Sequence, residues 1–149
     1  MKFFKINYLV IAIFLLALIL RILFTLQNDA VPSSDARVYD NLGFAISEGR
    51  GYVDNNGSPH SFYPPFYPFF LALVYKIFGH NYLAVTIMQS VIGAISCALI
   101  YVIGKKVYGE AAGLIAGFIS VVYLPFIKSA GLLLTELLFT FLLLLIVLY

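Results

Sequence analysis

Charge is scarce in this chain. Only 11% of its 149 residues are Asp, Glu, Lys or Arg, and the net charge of +2 is spread along the sequence instead of being massed in a basic stripe. A nucleic-acid partner, which would need such a stripe, is thereby excluded. Cysteine occurs once, as Cys97 within an apolar run, so no intramolecular disulfide can form and no thiolate metal centre can be assembled; it reads as a small buried side chain. His60 and His80 are the only histidines, too few for a histidine-rich metal site. No cofactor is indicated, although carboxylates together with a ligand's phosphate would suit a hard divalent cation. Solenoid repeats and low-complexity stretches are also absent.

Hydrocarbon fills the sequence instead. With 62% hydrophobic residues and a mean hydropathy of +1.00, the chain lies far from soluble globular domains. The expected class is all-α: a polytopic membrane protein with about four transmembrane helices and an outer loop carrying juxtamembrane helices. Residues 8–26 form the first apolar run, long enough at about 1.5 Å per residue to cross a core of roughly 30 Å. Arg21 interrupts it and is expected to snorkel to the nearer surface. Lys2 and Lys5 resemble the start of a signal peptide, but no small-x-small cleavage site follows Leu20, so a retained anchor is expected.

Residues 66–78, with Pro68 and Lys76, are too short and interrupted for a span and read as an interfacial helix. Residues 82–104, 111–127 and 130–149 are the expected second, third and fourth spans. If 66–78 lies on the membrane, Lys2, Lys5, Lys105 and Lys106 all fall on the cytoplasmic side. That parity predicts a multi-pass protein of the plasma (inner) membrane with a cytoplasmic amino terminus. It also puts the loop 28–81, Lys128 and the start of the fourth span together on the outer face. Gly93, Ala94, Ser96 and Ala98, then Gly113, Ala116, Gly117 and Ser120, predict tight packing of the central spans, with a G-x-x-x-G spacing at Gly113 and Gly117.

The loop concentrates the chain's ionisable groups. Four of the seven acidic residues, Asp35, Asp40, Glu48 and Asp54, lie between positions 35 and 54 of it, and the loop also carries Arg37, Arg50 and His60. Val38, Leu42, Ala45 and Ile46 recur at helical spacing between Pro32-Ser33-Ser34 and Gly49, which predicts an amphipathic surface helix with a glycine cap. Asp35 then sits at the positive end of the helix dipole, with Tyr39 one turn on. Asp54-Asn55-Asn56-Gly57 predicts a turn, with a hairpin between Tyr52-Val53 and Phe62-Tyr63. Pro64, Pro65 and Pro68 stiffen the return to the membrane.

Asp35-Ala36-Arg37-Val38-Tyr39, Glu48-Gly49-Arg50-Gly51-Tyr52, Tyr63-Pro64-Pro65-Phe66-Tyr67-Pro68 and Leu134-Thr135-Glu136 follow one another in an order that resembles the amino-terminal part of GT-C glycosyltransferases, the dolichyl-phosphate-mannose protein mannosyltransferase and aminoarabinose transferase relatives. The resemblance implies sugar transfer, usually with inversion, from a polyprenyl-phosphate donor to an acceptor at the outer face. It implies Asp35 as the general base, and a Thr135-Glu136 pair lining the donor pocket. Its partners are the polyprenyl-phosphate-linked sugar and membrane lipid. Arg37, Arg50, His60 and Lys76 are the nearby groups able to stabilise a departing phosphate, and Tyr39 and Tyr63 are further substrate contacts. The chain departs from the pattern twice. Ala36 stands where many relatives have a second acidic residue, and Tyr63 stands where aminoarabinose-transferase-like members have Lys.

Plainer readings stand beside these. Asp35 would also favour a helix start, worth about 0.3–1 kcal/mol, without catalysis. Asp40 is expected to be solvated, Tyr39 to anchor at the interface, and Arg37 and Arg50 to meet headgroups. Asn56-Gly57-Ser58 matches a glycosylation acceptor triplet. Glu136 costs roughly 2.5 kcal/mol or more if ionised mid-membrane, so it either lines a site or pairs with Lys128 near the surface. The final apolar run ends without a polar flank, as in a truncated chain, and GT-C enzymes have more spans; the isolated chain is expected to be inactive. A non-catalytic membrane subunit, a transporter fragment relying on Glu136 and Lys128, and an inactive truncated product are the alternatives.

Overall fold

The computed structural model describes residues 8–28, 32–54 and 56–149. Regular structure among them is helical: α1 Tyr8–Gln27, α2 Asp35–Ser47, α3 Phe66–Phe78, α4 Tyr82–Tyr108, α5 Glu110–Val122, α6 Leu124–Lys128, a 3-10 turn Ser129–Gly131, and α7 Glu136–Leu148. The protein is an all-α membrane protein. α1 and α4 are each long and apolar enough to cross a bilayer. The predicted third span is instead a pair, α5 and α6 with its 3-10 turn, bent by 56°. The cause is local: Tyr123 is extended at ψ 108°, and Pro125 cannot donate the amide that would continue α5. α7, at 13 residues, spans only about 20 Å.

α4 is the central post, packed by α1, α5 and α7. Glycine makes the α4–α5 contact possible. A Cβ added at Gly113 would lie 2.7 Å from Lys105 N and from Tyr101 O, and one at Gly104 would lie 3.0 Å from the Gly113 Cα. The backbones therefore touch, as the small-residue spacing predicted. Gly117 gives the same close approach to Tyr101 and to Ile13 of α1. Ile13, Ala17, Ala94, Cys97, Tyr101 and Val121 form the buried cluster along this half of α4.

Arg21 corrects one expectation. It does not snorkel; the residue is fully buried. Nη1 donates to Ala17 O at 3.1 Å, and Nη2 to Cys97 Sγ at 3.2 Å and Ser120 O at 3.5 Å. Gly93 opens the slot, since a Cβ there would stand 2.8 Å from the Arg21 Nε. Cys97 is the small buried side chain expected, and it receives this guanidinium.

α2 and α3 form a second unit beside the start of α4, around Tyr39, Tyr67, Leu71, Val74, Tyr75 and Val85. Here too a glycine sets the distance: a Cβ at Gly43 would come within 2.6 Å of Leu71 Cβ. α2 starts without a side-chain cap. Ser34 takes a left-handed φ of 50°, uncommon for a residue with a Cβ, and the first turn closes through Ala36 N to Ser33 O and Arg37 N to Ser34 O. Its end is a Schellman motif: Gly49, at φ 76°, donates to Ile46 O while Arg50 N donates to Ala45 O. The predicted hairpin shrinks to one antiparallel bridge, Val53 with Pro59.

Gly113→Val should destabilise the α4–α5 pair by about 1–3 kcal/mol through overpacking, seen as a lower unfolding midpoint in detergent. Ala111→Val, at an exposed position on α5, should leave the midpoint nearly unchanged.

Candidate active site

Asp35 is exposed at the first turn of α2, where the dipole favours negative charge. Tyr63, stiffened by the prolines that follow it, donates its hydroxyl to Asp35 Oδ1 at 2.8 Å. Tyr39, one turn along α2, sets its ring edge-on to Tyr63 at 5.0 Å and to Tyr67 at 5.3 Å. Tyr67 in turn donates to Gln89 Oε1 at 2.6 Å, and Gln89 Nε2 donates to Ala130 O and Leu132 O, both at 2.9 Å. This relay fixes the segment leading into α7 against α2 and α3. It brings Thr135 to the Tyr39 phenol as a hydrogen-bond partner and Glu136 close enough to act on that phenol electrostatically.

The tyrosines are held neutral. The bond to Asp35, then burial, raises the Tyr63 pKa. Burial raises that of Tyr39, and the negative charges of Asp35 and Glu136 add to the rise while the Thr135 bond opposes it. Tyr67, deeply buried, is pushed well above the ordinary phenol value. These phenols therefore remain hydrogen-bond donors at any pH near neutral. Below them, Pro64, Phe66, Tyr67, Thr135, Leu138 and Leu142 line much of an apolar groove of about 250 Å³ between α3 and α7. The polar cluster and the apolar groove thus share Tyr67 and Thr135.

Of the other predicted residues, Arg37 and His60 border this cluster, whereas Arg50 and Lys76 do not. Arg37 is exposed on α2. Arg50 sits past the far end of that helix, paired with Glu48 at 2.8 Å and half exposed, with its guanidinium 5.8 Å from the Phe44 ring centroid. Thirteen residues of helix, about 20 Å, separate it from Asp35, so the fold does not bring the two together. His60 stacks on Tyr63 at 5.6 Å. Lys76 is exposed in the last turn of α3. Glu136 and Lys128 form no ion pair among the described residues.

Residues 63–149 match the family described as dolichyl-phosphate-mannose-protein mannosyltransferase. The chain belongs to this family. No curated protein and no solved structure matches it. Membership in the mannosyltransferase family implies glycosyltransferase activity with a lipid-linked sugar donor. The matched stretch runs from Tyr63 through α7, so it includes Tyr67, Gln89 and Glu136 and leaves Asp35 upstream.

Asp40 is where this mannosyltransferase-family chain overturns the sequence reading. It is not solvated but 5% exposed. Oδ1 receives Tyr75 OH at 2.7 Å and lies 2.7 Å from His80 Nε2, and Oδ2 receives Tyr82 OH at 2.8 Å. Phe44 stacks on His80 at 4.4 Å. One carboxylate thereby joins α2, α3 and the start of α4. A signal was present in the sequence: Tyr75, His80 and Tyr82 are clustered donors in a stretch that has no acidic residue between Asp54 and Glu110.

Asp40→Ala should cost about 3 kcal/mol or more, since hydrogen bonds to charged groups are each worth about 1.5–3 kcal/mol; chemical denaturation in detergent measures it. Alkali should act on the same junction. Burial first, then the bond to Asp40, raises the Tyr75 pKa above its ordinary 10.0. Its neutral form is the one favoured by folding, so this stabilisation is complete below about pH 10 and declines as pH rises toward the folded-state value. Tyrosinate absorbance should therefore appear together with loosening of α2, followed by amide exchange.

Proposed function

We propose that this chain carries the acceptor-activating part of a GT-C-type transferase that moves a sugar from a polyprenyl phosphate to a hydroxyl acceptor at the non-cytoplasmic membrane face, with Asp35 as general base. One observation carries the reading: the Asp35 carboxylate is oriented by the Tyr63 hydroxyl at 2.8 Å in a cluster with Tyr39, Thr135 and Glu136, and Thr135 also lines the apolar groove between α3 and α7. A molecule with a polar head and a hydrocarbon tail suits that juxtaposition. Having α2 and α3 in the chain segment between the two long helices α1 and α4 supports placing them on one side of the membrane, and the lysines flanking α1 and ending α4 favour the outer one.

The step requires few parts. Asp35 accepts the proton of the acceptor hydroxyl as that oxygen bonds to the anomeric carbon. The bond from the anomeric carbon to the phosphate oxygen breaks, and its electron pair leaves with the polyprenyl phosphate. Tyr63 keeps the carboxylate aimed without competing for the proton, because its own pKa is raised. Arg37, on the exposed side of the same helix turn, is the nearest cation in sequence for the departing phosphate.

Asp35→Asn in the full-length, membrane-embedded enzyme that contains this chain should lower turnover of lipid-linked sugar by about 10²–10⁴-fold, the usual contribution of a positioned base, while leaving donor binding intact. A variant turning over at the unsubstituted rate would remove Asp35 from the mechanism. Labelling of introduced cysteines at Ser33 and Ser61 by impermeant reagents in intact cells checks the membrane face.

A further inference from the structure

A second cavity, of about 240 Å³, lies along α2 beyond Asp35 and is lined by Val38, Asn41, Leu42, Asp54, Asn56 and His60. Its polar groups are prepared by the loop. Asp54 Oδ1 receives the amides of Asn56 at 2.8 Å and Ser58 at 2.9 Å, which fixes the carboxylate, and Oδ2 takes no hydrogen bond among the described residues. The His60 amide donates to Tyr52 O at 3.1 Å, and its ring stacks on Tyr63 and meets Tyr52 edge-on. Its Nε2 is buried with no hydrogen-bond partner among the described residues, a costly state for an imidazole nitrogen, and a ligand in the cavity reaches it only if the ring turns toward it.

We infer that this cavity binds the saccharide acceptor by its hydroxyl groups, with Asp54, Asn41, Asn56 and His60 as the recognising side chains. The donor set decides the class. One carboxylate, two carboxamides and an imidazole supply both donors and acceptors, which vicinal hydroxyls require. No Lys or Arg lines the cavity among the described residues, so a phosphate would meet the Asp54 charge without a counter-cation. Val38 and Leu42 give an apolar wall for the C–H face of a sugar ring. The volume is below the roughly 300–1,000 Å³ of drug-sized sites, which suits a single ring. Position agrees as well: Val38 and Asn41 are three and six residues after Asp35 on α2, within about 5–9 Å along the helix axis, and Tyr63 touches both Asp35 and His60.

This inference rests on the glycosyl-transfer reading, and its test separates the two. Saturation-transfer NMR with methyl hexopyranosides on the protein in nanodiscs should give a signal that falls by about tenfold, the effect of one lost hydrogen bond at the upper end of its range, in His60→Phe, which keeps the ring stack, and in Asp54→Asn, which keeps the turn. Asp35→Asn should retain the signal while losing transfer. Helix content by circular dichroism establishes that each variant is folded. Glycoside binding undiminished in both His60→Phe and Asp54→Asn, or displaced by inorganic phosphate, would overturn the assignment. Loss of binding in those variants with full transfer by Asp35→Asn would support the cavity and defeat the catalytic role of Asp35.

Discussion

The carboxylate of Asp40 is the constraint on which the polar half of the molecule depends. It is buried, and an ionised group in that position is tolerated only when its oxygens are matched by donors. Tyr75, His80 and Tyr82 supply them from three places in the chain, the end of α3, the connecting turn and the start of α4. Because α2 carries both Asp40 and Asp35, the same bonds that satisfy one carboxylate fix the direction in which the other is presented. Gly43 completes the arrangement by letting α2 close onto Leu71.

The two halves use different physics. Along the lower part of α4, backbones meet at Gly104, Gly113 and Gly117, and dispersion between closely apposed helices holds them, since lipid offers no hydrophobic drive to separate or join them. Around α2 and α3, phenols, a carboxylate and a carboxamide form directed bonds. Gln89 is the hinge between these regimes, accepting from Tyr67 on α3 and donating to the turn before α7. Through it, the position of Thr135 and Glu136 is set by the same elements that hold Tyr39.

Much of this was legible before any coordinates. The helical class, a helix opening at Asp35 and closing at Gly49, a helix over 66–78, and close packing at Gly113 follow from periodicity, turn chemistry and side-chain size. What escaped reading is non-local. Asp40 has its partners 35 to 42 residues away, and nothing within α2 itself distinguishes it from a solvated acid. Arg21 looked able to reach the surface because the slot that receives it is made by Gly93 and Cys97 of another helix. The break at Tyr123 was hidden by uniformly apolar composition, although Pro125 marked it. In the candidate site, Tyr63 reaches Asp35 across the loop, whereas Arg50 shares a segment with Asp35 and ends up at the opposite pole of α2.

The interior position of Arg21 bears on biogenesis. α1 is synthesised before the residues that receive its guanidinium, and a lone arginine costs about 2.5–3.5 kcal/mol at the centre of an inserting helix, less toward its end. The remaining aliphatic side chains of α1 offset that cost, and within α1 itself only the Ala17 carbonyl receives the guanidinium. Docking of α4 and then α5 supplies Cys97 and the Ser120 carbonyl, which makes the maturation of the first helix contingent on the arrival of the later ones.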